Sequence, residues 1–281
     1  LKMKEPIRVL YVSSEIFPYL PESTSSKIGR FLPQGIQEKG YEIRSFMPKY
    51  GIINERRNQL HEVIRLSGMN IVINDLDRPL IIKVSSIPSA RMQVYFIDNE
   101  DYFYRKYIYT NEDGAYFEDN DERALFFARG VLETVKKLRW KPDIIHCQGW
   151  ITHFVPMFLK KSYSDDPIFS NTKLIVSLDE FGLDQEFSPQ MKSKITLSGV
   201  KSKDIDIMSE FNGINLAKLA LKYSDGVIKC STSIHEELEQ VISKYKLSVL
   251  NYIDTEDENS TYIDEYKNFY DLIKLKGFAY H

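Results

Sequence analysis

Apolar residues along this chain fall in short dense runs separated by longer stretches with helical spacing. Ile7-Arg8-Val9-Leu10-Tyr11-Val12 is nearly all apolar and ends at Ser13-Ser14-Glu15, the pattern of a parallel strand buried on both faces and feeding a loop. After Pro18 and Pro21, the positions from Ile28 to Lys39 predict a helix, with Gly40 where a C-terminal cap belongs. Tyr41 to Met47 then reads as a second strand with Pro48-Lys49-Tyr50-Gly51 as its exit loop, completing a βαβ unit. From Glu62 to Ile97 the runs shorten. Val63–Leu66, Asn70–Ile73, Leu80–Val84 and Met92–Ile97 predict β-hairpins attached to the sheet, followed by an aromatic, loop-like stretch from Tyr102 to Phe117.

A well-signalled helix follows, with Asn120 or Asp121 as its cap, acidic residues in its first turn and apolar positions from Leu125 to Leu138. Trp140-Lys141-Pro142-Asp143 breaks it and Ile144–Cys147 reads as a strand. The alternation continues with helix 151–160, strand 173–177, a polar irregular region to Asp206, helix 207–223, strand 226–230, helix 234–245 and a short strand within 249–254. It predicts one doubly wound, Rossmann-like α/β domain with inserted hairpins over residues 1–254, then an acidic linker and C-terminal helical tail over 255–281. In that tail Tyr262, Tyr266, Phe269, Tyr270 and Ile273 share one helical face. The face either docks on the domain or meets a partner.

Composition narrows the function classes. Hydrophobic residues at 43%, charged residues at 27% and a formal charge of −3 describe an ordinary globular chain without the field that would attract nucleic acid or an anionic membrane. No leader-like segment or apolar run of transmembrane length is read, and Cys147 and Cys230 lack metal-ligand spacing, so two reduced thiols and a cytoplasmic location are expected. His61, His146, His153, His235 and His281 are scattered, so neither a metal site nor a cofactor is implied. Ser13 and Ser14 lack a nucleophile-elbow context, and nothing pairs Asp179, Glu180, Asp184 and Glu186 as hydrolase carboxylates, which leaves them as a solvated loop.

Several long blocks resemble the N-terminal domain of bacterial glycogen and starch synthases. They are Met47-Pro48-Lys49-Tyr50-Gly51 with Asn54-Glu55-Arg56-Arg57, the stretch Val94 to Phe103, Asp119-Asn120-Asp121-Glu122-Arg123, Trp140 to His146, and Val249-Leu250-Asn251-Tyr252-Ile253-Asp254. The resemblance runs from Arg8 to about Asp254. It implies the N-terminal half of a two-domain, GT-B type glycosyltransferase, in which glucose passes from ADP-glucose or UDP-glucose to an α-glucan in the cleft between the halves. The carboxyl half of such enzymes supplies most of the nucleotide pocket, and Val249–Asp254 resembles the point where the chain crosses into it.

Three departures from the family pattern stand out. In the family's Lys-x-Gly-Gly-Leu loop, Pro21 falls at the lysine, Ser23-Thr24 at the glycines, Ser26 at a further glycine and Lys27 at an aspartate. The family's His-x-His-Asp-Trp reads His146-Cys147-Gln148-Gly149-Trp150, without the carboxylate, and Leu178 stands where a histidine is expected near the transferred sugar. The expectation is therefore a domain with no catalytic residues of its own, acting as a glucan- or protein-binding module. The alternative is half of a split α-1,4-glucosyltransferase. Glu15, Lys27, His146 and Trp150 are the candidate substrate-binding residues. Glu15 has a second reading as a loop anchor and His146 as a hydrogen-bonded structural residue. The candidate partners are an α-glucan, or a protein or second copy of the chain covering the face of the other half. The aromatic run from Tyr102 to Phe117 is either a glucan platform or loop packing.

Overall fold

The computed structural model describes residues 4–276, so His281 and the end of the tail lie outside the described residues. Strand β1 (Arg8–Ser13) leads into helix α1 (Thr24–Glu38), which returns to β2 (Glu42–Pro48), and β1 and β2 pair in parallel. The helix starts at Thr24 rather than Ile28. Ser23, extended at φ −146°, accepts the Ser26 N–H at 3.0 Å, while the Ser26 hydroxyl accepts the Ser23 N–H at 2.8 Å. This reciprocal box satisfies two end donors of the helix, so two of the serines at the family's glycine positions serve as a cap.

The inserted region forms β3 (His61–Glu62), β4 (Met69–Ile73), β5 (Leu76–Ile87) and β6 (Met92–Asp98). Three of the four runs read as hairpin strands fall in these strands. The exception is Val63–Leu66, where Ile64–Leu66 is a 3-10 turn with Leu66 buried and Ile64 81% exposed. The Ser67 hydroxyl takes the Ile82 N–H at 3.0 Å there, which occupies the edge of β5 in place of a strand. Short helix α2 (Glu100–Phe103) then buries Tyr102 and Phe103, and Tyr109 is also buried, whereas Tyr104 and Tyr107 remain exposed.

Helix α3 (Asn120–Leu138) begins after Asp119 rather than after Asn120 or Asp121, and without a side-chain cap. The three polar side chains there are engaged elsewhere. Asp119 holds Arg105 through two contacts at 2.7 and 2.5 Å, Asn120 donates to the Tyr109 carbonyl, and buried Asp121 meets Lys194 at 3.1 Å. The remaining elements are β7 (Ile144–Gln148), α4 (Val155–Lys161), β8 (Lys173–Leu178), α5 (Met191–Thr196), α6 (Gly213–Lys222), β9 (Gly226–Lys229), α7 (Glu236–Lys244), β10 (Ser248–Leu250) and α8 (Tyr262–Leu275). Helix α6 starts later than Ile207 because Asn212 caps it, accepting the Asn215 N–H at 2.9 Å.

The sheet order is β10-β9-β8-β7-β1-β2-β6-β5-β3, with β4 paired to β5. Pairings are parallel from β10 to β6 and antiparallel beyond. Strand order reverses between β1 and β7, which puts a topological switch point, and the usual ligand crevice, at their C-terminal ends. Buried residues of α3, α4 and α6 form one core layer, while α1 and α8 share the other with Val9, Tyr11, Ile144, Ile175 and Ile228.

Helix α8 is integral to that second layer. Tyr262, Tyr266, Phe269, Tyr270 and Ile273 are all buried, each such side chain stabilising by about 1.5–3 kcal/mol as an upper estimate. Gly35 of α1 permits the approach, since a Cβ there would lie 2.7 Å from Ile263. Lys274 joins Asp143 at 2.7 Å and the Tyr270 hydroxyl meets His146 Nδ1 at 2.6 Å.

Candidate functional site

Four strand ends converge at the switch point. β1 delivers Ser13, Ser14 and Glu15, β7 delivers Gln148 and Gly149, β8 delivers Leu178 and Asp179, and β9 ends beside Cys230. The Ser14 N–H bonds the Gln148 carbonyl at 3.0 Å and the Cys230 N–H bonds the Leu178 carbonyl at 2.9 Å, so the sheet holds these residues rigidly up to the crevice. Over them lies a cavity of about 280 Å³, roofed by Tyr252 to Glu256. Its described lining includes Asp179, Asp254 and Glu256 but no lysine or arginine.

The four sequence candidates separate into two pairs. Glu15 is half-buried at the end of β1, and burial raises its pKa while Tyr109 and Ser23 act in the opposite sense. Lys27, in the first turn of α1, is at the crevice rim with its Nζ 2.5 Å from Glu256 Oε2. His146 and Trp150 lie inside the protein. His146 is fully buried, its Nδ1 bonded to the Tyr270 hydroxyl and its Nε2 to Ser177 Oγ, both at 2.6 Å, and burial pushes its pKa down to about 3. Trp150 is 2% exposed, edge-on to Tyr109 at 5.7 Å and pressed against Gly182, with its Nε1 unpartnered.

The reading of residues 179–186 as a solvated loop holds for Glu180, Asp184 and Glu186, which are exposed, but not for Asp179. Burial pushes the Asp179 pKa up to about 6, aided by the charges of Glu15 and Glu180 and opposed by the Phe181 N–H at 3.1 Å. Its place directly after a parallel strand was a usable signal. Gln148 was also passed over. It is 2% exposed, its Oε1 accepts the Tyr11 hydroxyl at 2.5 Å, and its Nε2 has no partner among the described residues. Glu256 offered no local signal, because its contact with Lys27 joins residues 229 apart in sequence.

Gly149, at the family's aspartate position, has φ +97°, where a side chain is strained. A Cβ there would lie 2.1 Å from Ser14 Oγ, so the site is closed to a carboxylate by backbone and neighbour alike. Among the described residues of the loop from Pro18 to Arg30, none has positive φ, so nothing there keeps the open backbone that paired glycines allow. Chemically, the crevice offers carboxylate acceptors, one amide donor, hydroxyls of Thr24 and Ser25, and the ring of Tyr252, which is 42% exposed. Among the described residues no group of three or more His, Cys, Asp or Glu side chains could hold a metal ion.

The fold and sequence have clear relatives. The family model for the starch synthase catalytic domain matches residues 8–250. A glycogen synthase of Chlorobaculum parvum is 34% identical over 232 residues, covering 82% of this chain and 47% of that protein. Another, from Chlorobium limicola, is 41% identical over 172 residues, covering 61% of this chain and 35% of that protein. The catalytic domain of starch synthase IV from Arabidopsis thaliana, solved with ADP and acarbose bound, superposes with a TM-score of 0.71 at 19% identity, covering 89% of this chain and 52% of that one. The chain thus spans about half the length of the curated relatives it matches. With the parallel sheet, the switch-point crevice and these matches together, the chain belongs to the glycogen and starch synthase family of glycosyltransferases and carries a Rossmann-like domain equivalent to the N-terminal half of a GT-B enzyme.

Proposed function

We propose that the residues described here bind an α-glucan and do not by themselves transfer glucose from a nucleotide sugar. The observation that carries this reading is the charge of the crevice. Transfer from a nucleotide sugar requires positive charge at the departing diphosphate, where negative charge develops in the transition state. Here Lys27 is paired with Glu256, and the cavity lining carries Asp179, Asp254 and Glu256 with no cation of its own. A diphosphate would meet repulsion, whereas uncharged sugar hydroxyls match the same carboxylates and the Gln148 amide, with the 42% exposed Tyr252 as a surface for ring stacking. In this reading Glu15 and Lys27 border the ligand, and His146 and Trp150 act from beneath by holding the strand ends. The free thiols of Cys147 and Cys230 support a reducing, cytoplasmic setting.

The test is isothermal titration calorimetry with ADP-glucose, UDP-glucose and a malto-oligosaccharide. Saturable oligosaccharide binding without nucleotide-sugar binding is the expected result. Saturable nucleotide-sugar binding would refute the reading and favour half of a split α-1,4-glucosyltransferase. Binding of neither, with self-association in light scattering, would favour a protein-binding module in which a partner or second copy covers the crevice.

A further inference from the structure

Helix α1 opens with Thr24-Ser25-Ser26-Lys27 and has no acidic residue in its first turn. A lysine beside the positive end of a helix is unfavourable, and such an end attracts an anion. The anion present comes from far along the chain. Glu256 Oε2 lies 2.5 Å from Lys27 Nζ, and its Oε1 accepts the Thr24 hydroxyl at 3.4 Å. Glu256 sits in a segment between β10 and α8 that has no regular structure and whose Tyr252 to Glu256 stretch roofs the cavity. Below that roof, the Gln148 side chain is almost fully buried and lines the cavity, and no acceptor among the described residues takes its Nε2. The ion pair holding the segment is partly exposed on both sides, and such pairs stabilise only weakly.

We propose that residues 251–260 are an autoinhibitory strap, in which the Glu256 carboxylate occupies the place of an anionic ligand at Lys27 and the N-terminus of α1. The strap keeps ligands of the diphosphate class out of the crevice until it lifts. This deepens the proposed function by giving the lack of donor affinity a removable cause, and it does not depend on glucan binding.

The experiment compares the wild-type chain, Glu256→Gln and Glu256→Gln with Lys27→Met. Calorimetry uses inorganic pyrophosphate at low ionic strength, and amide hydrogen exchange follows residues 251–260. Both positions are surface-accessible, so all three proteins should fold. Glu256→Gln should speed exchange in the strap and bind pyrophosphate at least tenfold more tightly than wild type, and the second substitution should abolish that gain. Unchanged exchange in Glu256→Gln would overturn the proposal, because the contact would then not hold the strap. Silence of both proteins toward pyrophosphate would overturn it while leaving the proposed function standing. Equal binding by wild type and Glu256→Gln would overturn both.

Discussion

Acidification tests the interior of this domain through two buried histidines. Burial pushes the His146 pKa from 6.5 down to about 3 and the His153 pKa from 6.5 down to about 4. For groups whose pKa is depressed by folding, the unfolded chain binds more protons, so their contribution is intact above the unfolded value and is lost as pH falls below it. Between pH 7 and pH 5 each unfolded imidazole becomes almost fully protonated while its folded counterpart stays neutral, which costs about 2 kcal/mol per histidine and about 4 kcal/mol for the pair. Asp179 works against this. Its pKa rises from 3.8 to about 6 on folding, so it takes up a proton in the folded state over the same interval and returns about 1 kcal/mol. Glu15 and Asp121 are raised as well and act in the same direction as Asp179. The histidines win, and the expected net loss is about 2–3 kcal/mol, a large share of a typical domain stability of about 5–15 kcal/mol.

The decisive variant is His153→Leu. Neither ring nitrogen of His153 has a partner, so replacing the ring with an apolar side chain of similar size should leave stability at pH 7 unchanged or improved. The same change should remove about 2 kcal/mol of the acid loss. Urea unfolding at pH 7 and pH 5, followed by fluorescence of buried Trp140 and Trp150, reads both quantities. A wild-type chain equally stable at the two pH values, or a His153→Leu variant with the full acid loss, would refute the reasoning.

Two further predictions concern the sheet and the crevice. Tyr270→Phe removes the hydroxyl from His146 Nδ1 and leaves a buried nitrogen unpaired, so it should cost about 1–3 kcal/mol in urea unfolding at pH 7; a loss under about 0.5 kcal/mol would mean that this bond does not fasten α8. Gly149→Asp, which restores the family's carboxylate, should lower the melting temperature by an amount equivalent to about 2–4 kcal/mol, from a strained backbone and a clash with Ser14. Adding Ser14→Gly should recover part of that loss, and strictly additive effects would show that the two side chains do not compete for one space.

Much of the architecture was legible because strand and helix periods are properties of neighbouring residues. The βαβ start, the strands around Ile144, Leu174 and Val227, and the apolar face of α8 all lie where the spacing puts them. Legibility failed at the ends of elements, where distant partners decide. Asp119, Asn120 and Asp121 look like helix caps in sequence, but Arg105, the Tyr109 carbonyl and Lys194 claim their polar atoms. Val63–Leu66 has strand composition, yet the edge it would occupy on β5 is taken by Ser67. Around the crevice, the positions of Glu15 beside a strand end and of Lys27 in the first turn of α1 follow from local pattern. Asp179 reads as one of four loop carboxylates unless its place directly after β8 is weighed, and its burial then sets it apart from the other three. Glu256 was unreadable because a charge pair across more than two hundred residues leaves no trace in local pattern.

The placement of the departures explains how the fold tolerates them. Pro21, Ser23, Ser26, Lys27 and Gly149 all lie outside the strands, and Leu178 is the last residue of β8. Of these positions only Leu178 belongs to the apolar core, and it lies at the edge of that core, at the end of β8. A crevice at strand ends can exchange a cation for a proline or a carboxylate for a glycine without disturbing a buried contact, since loops carry the site and the sheet carries the stability. His146 shows the converse. It sits at the middle of β7, paired in register with Tyr11 and Ile175, and it is bound by Ser177 and Tyr270. A histidine held there is tied to the docking of α8, and replacing it would strand two hydroxyls in the core. Packing alone therefore accounts for His146, because both of its ring nitrogens are used inside the core.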